Sequence, residues 1–149
     1  FSRLMVLRGF TKIFGMAGIR LGYLIGEEKL IESIREYGPL WNVSAVASLA
    51  GSVALEDKEW TANWIKKTRG FVDDELALLR SMDGIMDTDA NFAMIRTRGE
   101  VVEQLLQRGI AVRNCSNFNS LDSSYIRIGV KEHHANEVLI ETYKEIING

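Results

Sequence analysis

Hydrophobic positions along the chain fall into short blocks separated by polar or glycine-marked breaks. Leu4 to Leu7 is an apolar run that ends at Arg8-Gly9, and Leu21 to Ile25 is a second, closed by Gly26. Each predicts a short buried strand entering a turn. From Glu27 to Tyr37, Leu30, Ile31 and Ile34 recur at helical spacing until Gly38-Pro39 breaks the pattern. Ser44 stands where it can cap an alanine-rich helix reaching about Glu56. Ala47, Ala50, Gly51 and Ala54 would let that helix approach another element closely. Lys58 to Met82 reads as one long helix, with Trp60, Trp64, Phe71 and Leu78 as an apolar stripe expected in a core. At ~1.5 Å per residue it is long enough to link two lobes.

After Asp83-Gly84 the blocks shorten. Ile85–Met86, Phe92–Ile95, Ile110–Val112 and Tyr125–Val130 predict strands, and Val101 to Gln107 predicts a helix stopped at Gly109. A last helix runs from His134 to Ile147, with Val138, Leu139, Tyr143, Ile146 and Ile147 on its inner side. The order β-β-α-β-β-α describes an α+β lobe that is expected to fold as an independent unit from about Asp83. The fold class expected for the whole chain is α/β.

Composition narrows the function classes. Net charge is −2 over 149 residues, and the densest basic cluster, Lys66, Lys67 and Arg69, is followed at once by Asp73, Asp74 and Glu75. Both groups read as solvated helix positions, so nucleic acid is not an expected partner. No apolar run approaches the ~18 residues that cross a bilayer, and no membrane partner is expected. A lone Cys115 excludes an intrachain disulfide. His133 and His134 are adjacent at a helix start, project to different faces, and read as exposed and not as metal ligands. Without a signal peptide the Asn-x-Ser matches read as chance, and the expected location is the cytoplasm. The chain opens Phe-Ser-Arg inside a predicted strand, as expected of a piece of a longer protein.

Candidate chemistry is concentrated in "RGFTKIFGMAGIRLGY", Arg8 to Tyr23. A lysine is ordinarily a solvent-facing surface residue. Lys12 differs in its company: Gly9, Gly15, Gly18 and Gly22 let the backbone approach a ligand, Thr11 offers a hydroxyl, and Arg20 offers a planar cationic fork suited to phosphate. One use of a lysine beside a phosphate cradle is the Walker loop, but G-x-x-x-x-G-K-[ST] is absent. Another is covalent attachment of the aldehyde of pyridoxal 5′-phosphate with its phosphate held nearby. The residue types and their order fit the second.

The segment "FTKIFGMAGIRLGY" resembles the cofactor-lysine segment of fold-type I aminotransferases, in the branch containing histidinol-phosphate aminotransferase and threonine-phosphate decarboxylase. The likeness continues through "PLWNVSAVASLAGSVALED" (Pro39–Asp57) and "GIAVRNCSNFNSLDSSYIRIGVK" (Gly109–Lys131). The resemblance implies that Lys12 binds pyridoxal 5′-phosphate covalently and that Thr11 and Arg20 contact its phosphate. It further implies that Arg127 grips the substrate's α-carboxylate and Arg113 its phosphate end. Taken without the family, each arginine would read as half of a weak surface ion pair. Gly9 departs from the pattern, since many relatives carry Ser or Thr three residues before the lysine.

The resemblance also implies an organisation: residues 1–57 as a remnant of the large cofactor-binding domain, 58–82 as an interdomain helix, and 83–149 as a small domain with a mixed or antiparallel sheet. "W-x-V-x-A" at Trp41–Ala45, "LAGSVAL" at Leu49–Leu55 and "RNCSNFNSLDSSYIR" favour decarboxylation of L-threonine O-3-phosphate over transamination of histidinol phosphate. A regulator with an aminotransferase-like sensor domain, or a relative that binds cofactor without catalysis, is the alternative of another class. In this family the ring-binding Asp, Asn and Tyr precede the lysine segment. The chain alone is therefore expected to be inactive, and its first 25 residues to be disordered or to pair with another copy. The full-length protein is expected to be a homodimer.

Overall fold

Gly9 and Gly22 face each other where two short extended segments meet, and this pairing organises the first part of the chain. In the computed structural model, which describes residues 4–149, β1 (Val6–Gly9) and β2 (Gly22–Ile25) pair antiparallel in a register running from Val6–Ile25 to Gly9–Gly22. A Cβ at Gly22 would lie 2.9 Å from the Arg8 carbonyl oxygen, so only glycine permits this approach. The structure corrects the expectation that these strands are buried, and orders them where disorder was one expectation. The two strands pair with each other, and Leu7 is 78% and Ile25 57% exposed. Residues 1–3 lie outside the described part of that expectation.

Three helices follow. α1 (Glu28–Glu36) and α2 (Ala45–Glu56) form where the spacing predicted, and the Ser44 Oγ accepts from the Ala47 N–H at 3.1 Å as the α2 cap. α3 (Lys58–Leu79) is capped by Asp57, whose Oδ1 accepts from the Trp60 N–H at 2.9 Å. α3 stops three residues before Met82, where Ser81 and Met82 donate to the carbonyls of Leu78 and Leu79 in a tightened last turn. The chain packs as two units, one ending at Ile65 and the other spanning Lys66–Gly149, with the boundary inside α3.

The second unit holds most of the core. β3 (Phe92–Arg96), β4 (Arg113–Asn114) and β5 (Tyr125–Gly129) make an antiparallel sheet in the order β3-β5-β4, joined by α4 (Val101–Gln107) and followed by α5 (His133–Asn148). Ala93, Ile95, Ile126 and Ile128 point to one face of the sheet, and Leu76, Leu79, Val101, Leu105, Leu139, Ile140 and Tyr143 pack with them. Because Leu76, Leu79 and Met82 belong to this core, a unit cut at Asp83 would lose one wall of it.

Several sequence expectations shift. Of the stripe on α3 only Leu78 packs against the core: Trp60, Trp64 and Phe71 are each more than 40% exposed, and the buried face is Glu75, Leu76 and Leu79. On α5, Ile140 is buried and Val138 is exposed. Ile85 makes only an isolated bridge to Ile95, and the strand predicted at 110–112 begins instead at Arg113. The α/β fold class stands, with five α-helices and two small antiparallel sheets among the described residues. No helix among them is long and apolar enough to cross a membrane.

Gly84 turns the chain out of α3 at φ +78°, and a Cβ there would overlap the Arg96 carbonyl oxygen, while the Arg96 N–H donates to the Gly84 oxygen at 2.9 Å. Gly84→Ala is expected to lower stability by about 2–3 kcal/mol through left-handed strain and backbone overlap together. Urea unfolding of the variant checks this, and an unchanged midpoint would mean that the turn rebuilds without strain.

Candidate functional site

Lys12 sits in the long loop that closes the β1–β2 hairpin. The ladder gains one more bond beyond Gly9–Gly22, from the Phe10 N–H to the Leu21 carbonyl at 3.2 Å, and residues 10–21 emerge from that end. Within the loop the Phe10 carbonyl accepts from the Phe14 and Met16 N–H groups, and Gly15, at φ +64°, donates to the Lys12 carbonyl. Ala17–Ile19 make one 3₁₀ turn, and Arg20 follows at φ +57° with its Nη1 donating to the Ala17 carbonyl at 3.0 Å. A left-handed arginine costs roughly 1–2 kcal/mol. Such outliers persist where the surroundings over-determine them, and they gather at binding sites.

The donor set suits an anion. Lys12 and Arg20 are exposed and Thr11 is half-buried. Among the described residues no carboxylate lies within 4.0 Å of either cation. A Cβ on Gly9 or Gly18 would meet nothing within 4 Å, so there is room beside the loop. A phosphate ester with an aldehyde within reach of the Lys12 amine fits these groups chemically.

In the second unit, Arg113 and Arg127 are directly opposed in the β4–β5 register. Like charges placed opposite each other across strands destabilise a sheet. Both arginines are exposed, on the face opposite buried Ile126 and Ile128, and neither has a carboxylate within 4.0 Å among the described residues. The Arg127 guanidinium lies 5.0 Å from the Phe92 ring centre. That of Arg113 lies 5.8 Å from Phe118, with its Nη2 donating to the Asn117 Oδ1 at 3.0 Å. Stacking on a ring holds the fork while leaving N–H edges free for an anion. A third cation shares the face: Arg96 stands two residues beyond Met94, which pairs with Arg127, and lies 5.9 Å from the Tyr125 ring. The alternation Phe92-Met94-Arg96 was the sequence signal for it.

Thr11, Lys12 and Arg20 thus share one loop of the first unit, and Arg113 and Arg127 share one sheet face of the second. Elsewhere the structure corrects one expectation. Asp73 and Asp74 are exposed, but Glu75 is buried. The Asn136 Nδ2 donates to the Glu75 Oε2 at 2.7 Å and to the Lys131 carbonyl at 2.8 Å, the Lys131 N–H donates to the Asn136 Oδ1, and the His133 Nδ1 lies 3.0 Å from the Glu75 Oε1. The Asn136 hydrogen bond, and then His133, hold the Glu75 carboxyl below its ordinary range against the opposing effect of burial. The same Glu75 bond, with the Glu137 charge, raises His133. Asn136 was findable as a polar residue in the buried row Asn136, Leu139, Ile140, Tyr143 of α5.

The family model for aminotransferase class I and II matches residues 2–142. A protein of Caldanaerobacter subterraneus subsp. tengcongensis, provisionally named threonine-phosphate decarboxylase, is 40% identical over 96% of this chain and 41% of its own length. The histidinol-phosphate aminotransferase of Methanococcus aeolicus is 28% identical over 99% of this chain and 42% of its own. Among solved structures, the histidinol-phosphate aminotransferase of Clostridium acetobutylicum superposes with a TM-score of 0.80 at 30% identity, covering 99% of this chain and 47% of that one. The chain spans about two fifths of the length of the curated relatives it matches.

Proposed function

The chain belongs to the class I and II aminotransferase family, and from that membership we propose that it forms the C-terminal part of a pyridoxal 5′-phosphate enzyme that decarboxylates L-threonine O-3-phosphate. The observation that carries the substrate class is the opposed pair Arg113 and Arg127, two exposed forks without carboxylate partners among the described residues. A substrate with a carboxylate at one end and a phosphate at the other satisfies both. The 40% identity to the Caldanaerobacter protein supports decarboxylation. The 30% identity to the Clostridium structure supports the second reading, transamination of histidinol phosphate.

Lys12 would hold the cofactor covalently, with Thr11 and Arg20 on its phosphate. The cofactor supplies an electron sink for the bond broken at the substrate's Cα. The remaining work falls to this chain's own groups. Arg127 and Arg113 fix the two anionic ends of the substrate, and by fixing them decide which Cα bond is aligned to break. Freed when the substrate's amino group takes its place and protonated in that exchange, the Lys12 side chain, or another acid, would return a proton to Cα. Gly9 leaves the phosphate without the hydroxyl that many relatives supply, so that either its affinity is somewhat lower or a backbone N–H or water takes that share.

Incubating the full-length protein with threonine phosphate is expected to release CO2 and aminopropanol phosphate. Transamination of histidinol phosphate with 2-oxoglutarate, without CO2 release, would replace the first reading by the second. Arg113→Gln is expected to raise KM for the phosphorylated substrate roughly 10–100-fold, the loss of charged hydrogen bonds worth about 1.5–3 kcal/mol. KM for the amino acid lacking phosphate should change little, and an equal rise for both would remove Arg113 from the phosphate end.

A further inference from the structure

The loop that carries Lys12 is weakly held by its own backbone. The hydrogen bonds flanking Lys12, from Phe14 to Phe10, Gly15 to Lys12 and Met16 to Phe10, measure 3.3, 3.3 and 3.4 Å, and the next along, from Ile19 to Met16, measures 3.3 Å, all beyond the long end for N–H to O. Phe10 is the only residue of the loop that is fully buried. Yet a catalytic amine must be held to a fraction of an ångström.

What does hold the loop is a column of rings. Phe14, two residues past Lys12, stacks on Phe10 at 5.3 Å between ring centres and on Trp60 at 6.0 Å. Trp60 in turn stacks on Trp64 at 5.7 Å with the planes only 8° apart. Tyr23 of β2 meets Phe10 edge-on at 5.6 Å. These separations and angles are those of favourable aromatic pairs. Trp60 and Trp64 stand one helical turn apart on α3, so that helix presents them as one platform. The two indoles remain 45% and 42% exposed, which burial alone does not explain.

We propose that Phe14 and Trp60 are positioning residues that fix the Lys12 loop against α3, so that the Lys12 amine is held ready for the aldehyde of its cofactor. The role of the amine rests on the function proposed above; the role of the column in ordering residues 10–16 does not. Neither ring touches the reacting atoms. They act through the backbone between Phe10 and Met16, where Phe14 both donates to the Phe10 carbonyl and wedges its ring between Phe10 and Trp60.

The experiment compares the full-length protein with its Trp60→Ala, Trp60→Phe and Phe14→Leu variants. Amide hydrogen exchange is read in the cofactor-free protein, and covalent capture of pyridoxal 5′-phosphate by borohydride is read by peptide mapping. In Trp60→Ala, exchange at Phe14, Gly15 and Met16 is expected to rise roughly tenfold and capture at Lys12 to slow several-fold, with exchange in Lys66–Gly149 unchanged. Trp60→Phe is expected to restore both, and Phe14→Leu to repeat the alanine result. Unchanged exchange at residues 14–16 in both Trp60→Ala and Phe14→Leu would overturn the proposal, as would failure of the phenylalanine variant to rescue. If the wild-type protein captures no cofactor at Lys12, the functional reading fails, and the exchange measurement still decides the column.

Discussion

Lys12→Ala in the full-length protein is expected to abolish covalent capture of pyridoxal 5′-phosphate at this position and to lower turnover by at least roughly 10²–10⁴-fold, the usual contribution of a positioned proton-transfer group. The fold should survive, because the Lys12 side chain is exposed and makes neither a hydrogen bond nor an ion pair among the described residues. A surface change of this kind moves stability by no more than about 0.5 kcal/mol. Borohydride reduction followed by peptide mapping tests the attachment, and steady-state kinetics test the proton transfer. Reductive labelling of a different lysine in the wild-type protein would sink the assignment, as would turnover within tenfold of wild type. Added small amines restoring part of the alanine variant's turnover would locate the loss at the missing amine and not at a displaced loop.

The second large effect lies away from that chemistry. Asn136→Ala is expected to destabilise the protein by about 3–5 kcal/mol, because it strips the buried Glu75 carboxylate of its 2.7 Å partner and leaves the Lys131 backbone groups unmatched. The same network gives a pH signature. Glu75 titrates below its ordinary 4.5, held down chiefly by Asn136, so its stabilising contribution is present above pH 4.5 and is lost as pH falls through the lower folded value. His133 titrates above its ordinary 6.5, held up chiefly by the bond to Glu75, so its contribution is complete below pH 6.5 and is lost as pH rises through the raised value. Together they place this pair's greatest support between about pH 4.5 and 6.5, with a fall on either side. Urea unfolding across pH is the check. Glu75→Gln should remove the acid limb and shrink the alkaline one, where Glu137 still raises His133, and a wild-type profile identical to that of the variant would show that the pair does not govern the dependence.

Much of the architecture was legible because its signals are local. Ser44 caps α2 through a hydroxyl and an N–H three residues apart, and Gly109 ends α4 by taking φ +81°, so neither depends on distant chain. The alternation at Tyr125–Gly129 fixes which side chains face the core, and therefore that Arg127 faces away from it. The misreadings share one cause. Trp60, Trp64 and Phe71 have the spacing of a core stripe, but spacing reports only that residues share a face, not what packs on it. Ile110–Val112 has strand composition, but a strand exists only where a partner accepts its hydrogen bonds, and β5 pairs with Arg113 and Asn114 instead.

The sequence by itself determined which candidate groups stand close along the chain and at what spacing: a hydroxyl, an amine and a guanidinium within the "TKIFGMAGIR" loop, and two arginines on the segments around Asn114 and Ile126. It could do so because a loop's ligand groups and their order are written in consecutive residues. Tertiary structure alone decided the rest. Register set Arg113 opposite Arg127, placing two cations on one face with no carboxylate within 4.0 Å among the described residues. Packing put Glu75 inside while its neighbours Asp73 and Asp74 stayed in water. The stacking of Phe14 on Trp60 joined residues 46 positions apart, a relation fixed by the distance between surfaces, which no single segment encodes.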